Sequence, residues 1–199
     1  VDSSGVYISS REGIFREIDK EKYLVSHTIT LKPFKTLDIS LGESIVIGDR
    51  VEPIYFIPIM FFRLADHYSS SNDNDKGNNS QFFLNINSRN FIKNTHLFFT
   101  FFIDEIRLSD LFDSQKQKNQ VGFTFGGSVV DLPMDNLKVI AEYTKIFPFV
   151  YKHYIQTQTY ENQSYIMGHW MGHNSDLLYG SLEYRIIRGL KAQVWAQKI

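Results

Sequence analysis

The chain has 199 residues and no cysteine, which excludes a disulfide scaffold, a thiolate metal site and a cysteine nucleophile, and leaves the redox compartment undecided. It also lacks any run of 18 apolar residues, so a membrane-spanning helix is excluded. The densest candidate, Ile54 to Leu64, is too short and contains Pro58. Neither sign of charge dominates: 21 Lys and Arg stand against 22 Asp and Glu, for a net charge of −1. With no Lys/Arg cluster either, there is no electrostatic reason to expect a nucleic-acid partner. Gly-rich phosphate loops and a nucleophile elbow are missing, and no internal repeat exceeds the length of a hairpin. No signal peptide opens the chain and its end falls directly on a strand, so the sequence reads as a mature or trimmed piece of a longer protein.

What the chain does have is aromatic residues, 17 Phe and 11 Tyr, and alternation. Eight stretches alternate apolar and polar residues at a period of two, the signature of strands with two different faces. Leu97, Phe99, Phe101 and Ile103 share one face; Val121, Phe123, Phe125 and Val129 repeat the pattern, followed by Leu137, Val139, Ala141 and Tyr143. The opposite faces carry His96, Thr100 and Asp104, then Gly122, Thr124, Gly126 and Ser128, then Lys138, Glu142 and Thr144. In the last hairpin Leu178, Gly180, Leu182, Tyr184 and Ile186 oppose Tyr179, Ser181, Glu183 and Arg185. Its second strand sets Leu190, Ala192, Val194 and Ala196 against Lys191, Gln193, Trp195 and Gln197. A charge facing lipid costs about 2–4 kcal/mol at the bilayer midplane, so a charge-free apolar face is what hydrocarbon demands.

The connections alternate in length. Short ones run from Lys32 to Thr36, Arg89 to Asn94, Leu132 to Asn136 and Ile187 to Gly189; long ones run from Gly48 to Gln81, Arg107 to Gln120 and Phe147 to Leu177. Tight turns at one rim and long loops at the other belong to a barrel inserted from one side of a membrane. The pattern therefore predicts an all-β chain, an antiparallel up-and-down transmembrane β-barrel or a consecutive arc of a wider one. A soluble β-sandwich shares the alternation but has no cause to make every second loop long.

Two strands fit less well, because His27 falls on the apolar side of Tyr23 to Leu31 and Glu43 falls in line with Leu37, Ile39, Leu41, Ile45 and Ile47. Either a bulge near Gly42 shifts the register or these residues lie above the hydrocarbon band. The segment Glu52 to Leu64 is too apolar for an exposed loop and too proline-broken for a central strand, and is expected to pack inward or over the lumen. Ser69 to Ser80 reads as a solvated loop tip. Lys138, Glu142, Glu183, Arg185 and Lys191 share the lumen parity with mixed signs, which fits a ladder of ion pairs better than a selectivity filter.

The connection from Phe147 is richest in recognition chemistry: Tyr151, His153, Tyr165, His169, Trp170, His173, Asn174 and Asp176 are candidate polysaccharide-binding residues. Aromatic faces suit the CH face of a pyranose ring, and amides and carboxylates its hydroxyl edge. The competing reading makes several of them girdle or packing residues. His169 and His173 have the spacing of a zinc-binding helix, but Gly168 and Gly172 disfavour a helix and no Glu follows the first His, so no metal or cofactor is expected. Asp104 and Glu105 point to opposite faces of a strand and cannot flank one glycosidic bond; a rim ion pair, to Arg107 or a neighbouring strand, is the alternative.

An ordered set of motifs carries a resemblance. Pro53 to Phe62 comes first, then Phe102-Ile103-Asp104-Glu105, then Ala141-Glu142-Tyr143-Thr144 running into Phe147-Pro148-Phe149-Val150-Tyr151. Met167-Gly168-His169-Trp170-Met171-Gly172-His173-Asn174-Ser175-Asp176 is the most specific, and Glu183-Tyr184-Arg185 with Arg188-Gly189-Leu190 closes the set. Across residues 22 to 197 the chain resembles the outer-membrane capsule assembly protein Wzi family. The resemblance implies a non-enzymatic bacterial outer-membrane barrel of about 18 strands, in contact with outer-membrane lipid, that helps hold capsular or exopolysaccharide on the cell surface. His173 departs from the family, which commonly has Pro or a similar residue there, and the chain is shorter than the full barrel. A porin-like channel and a soluble β-sandwich interaction domain are the alternative readings.

Overall fold

The structure is a computed structural model that describes residues 6–8, 15–17, 22–48, 53–57, 60–62, 78–105, 120–153, 156–162 and 165–199. The expectations for most of 69–80 and for Arg107 and its loop lie outside these residues.

Alternating apolar and polar residues form long strands, including the two whose pattern fits less well, Lys22–Phe34 and Leu37–Gly48. In chain order the strands are β1 (Val6–Ile8), β2 (Phe15–Glu17), β3 (Lys22–Phe34), β4 (Leu37–Gly48), β5 (Asn79–Arg89) and β6 (Thr95–Glu105). They continue with β7 (Gln120–Val130), β8 (Leu137–Ile146), β9 (Glu161–Asn162), β10 (Tyr165–Ile166), β11 (Ser175–Ile187) and β12 (Leu190–Lys198). β1 pairs with β2 and β9 with β10; the other eight make one antiparallel sheet in the order β12-β11-β8-β7-β6-β5-β4-β3. The chain is all-β and this sheet is up-and-down, so the four short turns emerge at one end and the long connections at the other. Asn90, Asn94, Asp131, Asn136 and Gly189 have positive φ in those turns, which is why Asn, Asp and Gly stand there.

Through the body of β6, β7, β8 and β11 the registers carry the sequence faces from strand to strand, with shifts only near strand ends, between Ile103 and Glu105 and between Arg185 and Ile187. Phe99 lies opposite Phe125, Phe125 opposite Tyr143 and Tyr143 opposite Leu178, so one apolar face is continuous over four strands. On the other face Thr100 Oγ1 donates to Asn85 Oδ1 at 2.9 Å, Thr124 and Thr144 hydroxyls meet at 2.9 Å, and Lys191 Nζ donates to Glu183 Oε2 at 2.9 Å. In β6, β7, β8 and β11 the buried residues are Asp104, Gly122, Thr144, Ile146, Leu177 and Ser181, all of the polar parity. No described position of the apolar parity in these strands is buried, and Leu97, Phe125, Leu178 and Leu182 are exposed. Phe99, Phe123 and Val139 are half-buried, and none belongs to the buried apolar cluster among the described residues.

By contacts the chain divides into two compact units. One comprises Val1–His27, Glu43–Gln81 and Tyr151–Trp170, the other Thr28–Gly42, Phe82–Val150 and Met171–Ile199. The first unit has a core of its own, in which Ile45, Ile47, Tyr55 and Phe62 are buried together with Val25, Ile54 and Met60 against them. The proline-broken segment thus lies on the parity of β4 that carries Glu43, Ile45 and Ile47, which explains the misfit: chain covers that stretch of the strand. Glu43 Oε2 accepts the Phe62 N–H at 2.7 Å, and the His27 ring lies 4.3 Å from the Phe62 ring. Polar groups are buried here too, and Ser44 Oγ donates to Gln81 Oε1 at 2.9 Å while Asn79 Nδ2 donates to the Gln158 carbonyl at 3.0 Å.

Gly126 and Gly127 sit where strands approach closely. A Cβ on Gly126 would lie 2.7 Å from the Ala141 carbonyl oxygen, and one on Gly127 would lie 3.1 Å from that of His96. Gly126→Ala is therefore expected to destabilise the sheet by about 1–3 kcal/mol, measured as a lower urea midpoint. Glu43→Ala would strand the Phe62 amide in the core and cost about 1–3 kcal/mol by the same assay, whereas Lys35→Ala, on an exposed turn, should leave the midpoint unchanged.

Candidate functional site

The eight candidate residues fall into two groups, one in each unit. Tyr151, His153, Tyr165, His169 and Trp170 belong to the first, and His173, Asn174 and Asp176 to the second.

In the first group Tyr151 acts as a post. Its backbone has φ 71°, its side chain is only 3% exposed, and its ring stacks on Tyr160 at 5.8 Å between centroids. Its hydroxyl accepts the His169 N–H at 3.0 Å. Gly168 lies against the same ring so closely that a Cβ there would run into it, which accounts for glycine at that position. The Tyr160 N–H donates to the Tyr151 carbonyl at 3.2 Å and the Met167 N–H to the Tyr160 carbonyl at 3.0 Å, tying β9 and β10 to the post. Lys152 pairs with Glu161 at 3.2 Å. The result is a braced loop from which Trp170, 62% exposed, and Tyr165, 77% exposed, project into solvent. His169 lies beside Trp170 with ring centroids 5.8 Å apart, and His153 is half-buried.

Of the second group, Asn174 and Asp176 line a cleft of about 380 Å³ at the long-connection end of β8 and β11, formed by Lys145 to Pro148, Asn174 to Asp176 and Ile199, and His173 lies outside its lining. Lys145 and Asp176 are directly opposed across the strands and pair at 2.8 Å, while the Lys145 ammonium sits 5.3 Å from the centre of the Phe147 ring. Asn174 has φ 55° and its N–H donates to the Phe147 carbonyl at 3.2 Å; Ser175 Oγ donates to the Gly172 carbonyl at 3.3 Å. Asn174 and Asp176 are exposed, as is His173. An ammonium, a carboxylate, an amide and an aromatic ring around one opening are the donors, acceptors and stacking surface that sugar hydroxyls and CH faces require.

The structure brings Asn174 and Asp176 together with Lys145, a residue the sequence reading passed over. The signal was there: carrying the pairing of Ala141 with Gly180 four residues toward the loop sets Lys145 opposite Asp176. It places Tyr151 in a supporting position, with its ring face covered by Tyr160. Compared with known proteins, the chain matches no family model, no curated protein and no solved structure.

The post can be tested directly. Tyr151→Phe keeps the ring and removes the acceptor, so it should cost about 1 kcal/mol and speed hydrogen exchange at the His169 amide. Gly168→Ala should cost more, about 1–3 kcal/mol, and alter the emission of Trp170 as the loop is pushed off Tyr151.

Proposed function

We propose that this chain forms barrel wall in a bacterial outer membrane and holds capsular or exopolysaccharide at its long-connection end, without catalysing a reaction. One observation carries the reading: in β6, β7, β8 and β11 every described residue that is buried is of the polar parity and none of the apolar parity, the reverse of a sheet that folds around a dry core. Strand length agrees with it. β5, β6 and β7 have 11 residues each and β8 has 10, against the roughly 9–11 that a tilted strand needs to cross hydrocarbon. The resemblance to the Wzi family supplies the polysaccharide and the outer membrane, and the braced Trp170 and the Lys145–Asp176 cleft supply chemistry suited to it.

The membrane half of the reading requires the apolar parity to face lipid: a spin label at Phe125 should be quenched by a lipid-soluble agent and one at Thr124 by a water-soluble one, and the opposite result overturns it. For the polysaccharide half, Trp170→Ala should weaken binding of purified capsular polysaccharide by about threefold to tenfold while the sheet still forms. Binding unchanged in both Trp170→Ala and Asp176→Ala would remove both the Trp170 loop and the Lys145–Asp176 cleft from recognition.

A further inference from the structure

The four short turns share one end of the sheet, and their exposed residues are of an unusual kind. Phe34 stands at the β3–β4 turn, Phe91 and Ile92 at β5–β6, Leu132 and Met134 at β7–β8, and Ile187 at β11–β12; all are exposed, Phe91 by 75%. Turn tips normally present polar side chains to water. Here the polar residues bend back onto their own turns. Asn90 Oδ1 accepts the Asn94 N–H at 3.2 Å, Thr95 Oγ1 donates to the Ile92 carbonyl at 2.6 Å, and Asp131 Oδ1 accepts the Asn136 N–H at 2.7 Å. The turns are thus held by their polar groups and offer their apolar ones outward.

Beside the apolar tips stand cations. Lys35 follows Phe34, Lys93 follows Ile92 and Arg188 follows Ile187; all three are exposed, and none makes an ion pair among the described residues. Asp38, by contrast, is held by Arg89, with Lys32 at 3.9 Å, and Asp131 is occupied by its own turn. Asp135 is the exposed carboxylate left on this end outside those pairings. Successive hairpins lie two strands apart, about 10 Å, so the tips form a spaced row in place of the continuous patch that a protein partner buries. Spaced aromatic and aliphatic tips flanked by Lys and Arg match the interface of an anionic bilayer, where the apolar group enters between headgroups and the cation pairs with phosphate.

We infer that the short-turn end is a binding surface for anionic phospholipid headgroups. The inference rests on the membrane reading above, and the experiment separates the two. The chain is refolded into phosphatidylcholine bilayers, with and without about a third phosphatidylglycerol, and the association of spin-labelled phosphatidylglycerol relative to phosphatidylcholine is measured. The native chain should prefer the anionic lipid by about fivefold, and Lys35→Gln/Lys93→Gln/Arg188→Gln should bring the ratio close to one without loss of insertion. Equal association of both lipids with the native chain, or a preference that survives the triple substitution, overturns the inference and leaves the membrane reading standing. Entry into neither bilayer overturns both. A dimer in sedimentation that the same substitutions abolish would assign the surface to a second copy and overturn the lipid.

Discussion

An antiparallel ladder fixes two things at once: it pairs every interior backbone group, and it sends alternate side chains to opposite faces. In this chain a one-residue slip of β6 or β7 would exchange Phe for Thr or Gly on a face, and one of β8 would exchange Tyr143 for Thr144, so the register is the constraint on which everything else depends. Through the middle of these strands the register holds, and the β6–β7 pairing shifts only at its end, between Ile103 and Glu105. Phe101 meets Phe123 on one face while Thr100 meets Thr124 on the other, and the rings on the apolar face, Phe123, Phe125 and Tyr143, gather within 5.5–6.3 Å of one another. Contacts of that kind stabilise by about 0.5–1.5 kcal/mol each beyond the area they cover, enough to hold a register even on an exposed face.

The strands after residue 80 were legible because in them one rule operates without competition. In β6, β7, β8 and β11 no described position of the apolar parity is buried, so period two in sequence becomes period two in space. β4 was harder to read because its environment changes along its length. Leu41 is exposed, whereas Glu43 to Ile47 are buried without a break, because the segment with Pro53, Tyr55 and Phe62 covers that stretch. No local pattern in β4 announces such a cover; it comes from residues far along the chain. Glu43 is the mark it leaves in the sequence, a carboxylate at an apolar position whose partner is a backbone amide at Phe62.

The candidate site was legible as a region and not as a set of roles. Composition picks out the connection after β8, but it weighs every Tyr and His alike. Burial separates them: Tyr151 holds the His169 amide from inside, and Trp170 stands outside. The difference follows from neighbours such as Gly168 and Tyr160, which pack the post, and it shows why a substitution of Tyr151 to Ala would report on the loop's integrity more than on any ligand. Lys145 escaped for the opposite reason. It continues an apolar row, and only the strand across from it, with Asp176 in register, turns it from an exception into part of a cleft.

The edges of the sheet carry the membrane reading to its sharpest consequence. β3 and β12 each have one neighbour, and in β12 all nine residues are exposed. In water such edges are costly in specificity, because they invite further strands; in hydrocarbon they are costly in energy, since each unpaired N–H or C=O loses several kcal/mol of hydration with nothing in exchange. Eight strands in up-and-down order leave β3 and β12 running in opposite senses, so an antiparallel ladder is available both by joining the two and by adding strands between them. On the proposed placement of Leu182 and Val194 in lipid the sheet would have to do one or the other, because hydrocarbon that rewards an apolar face forbids open edges.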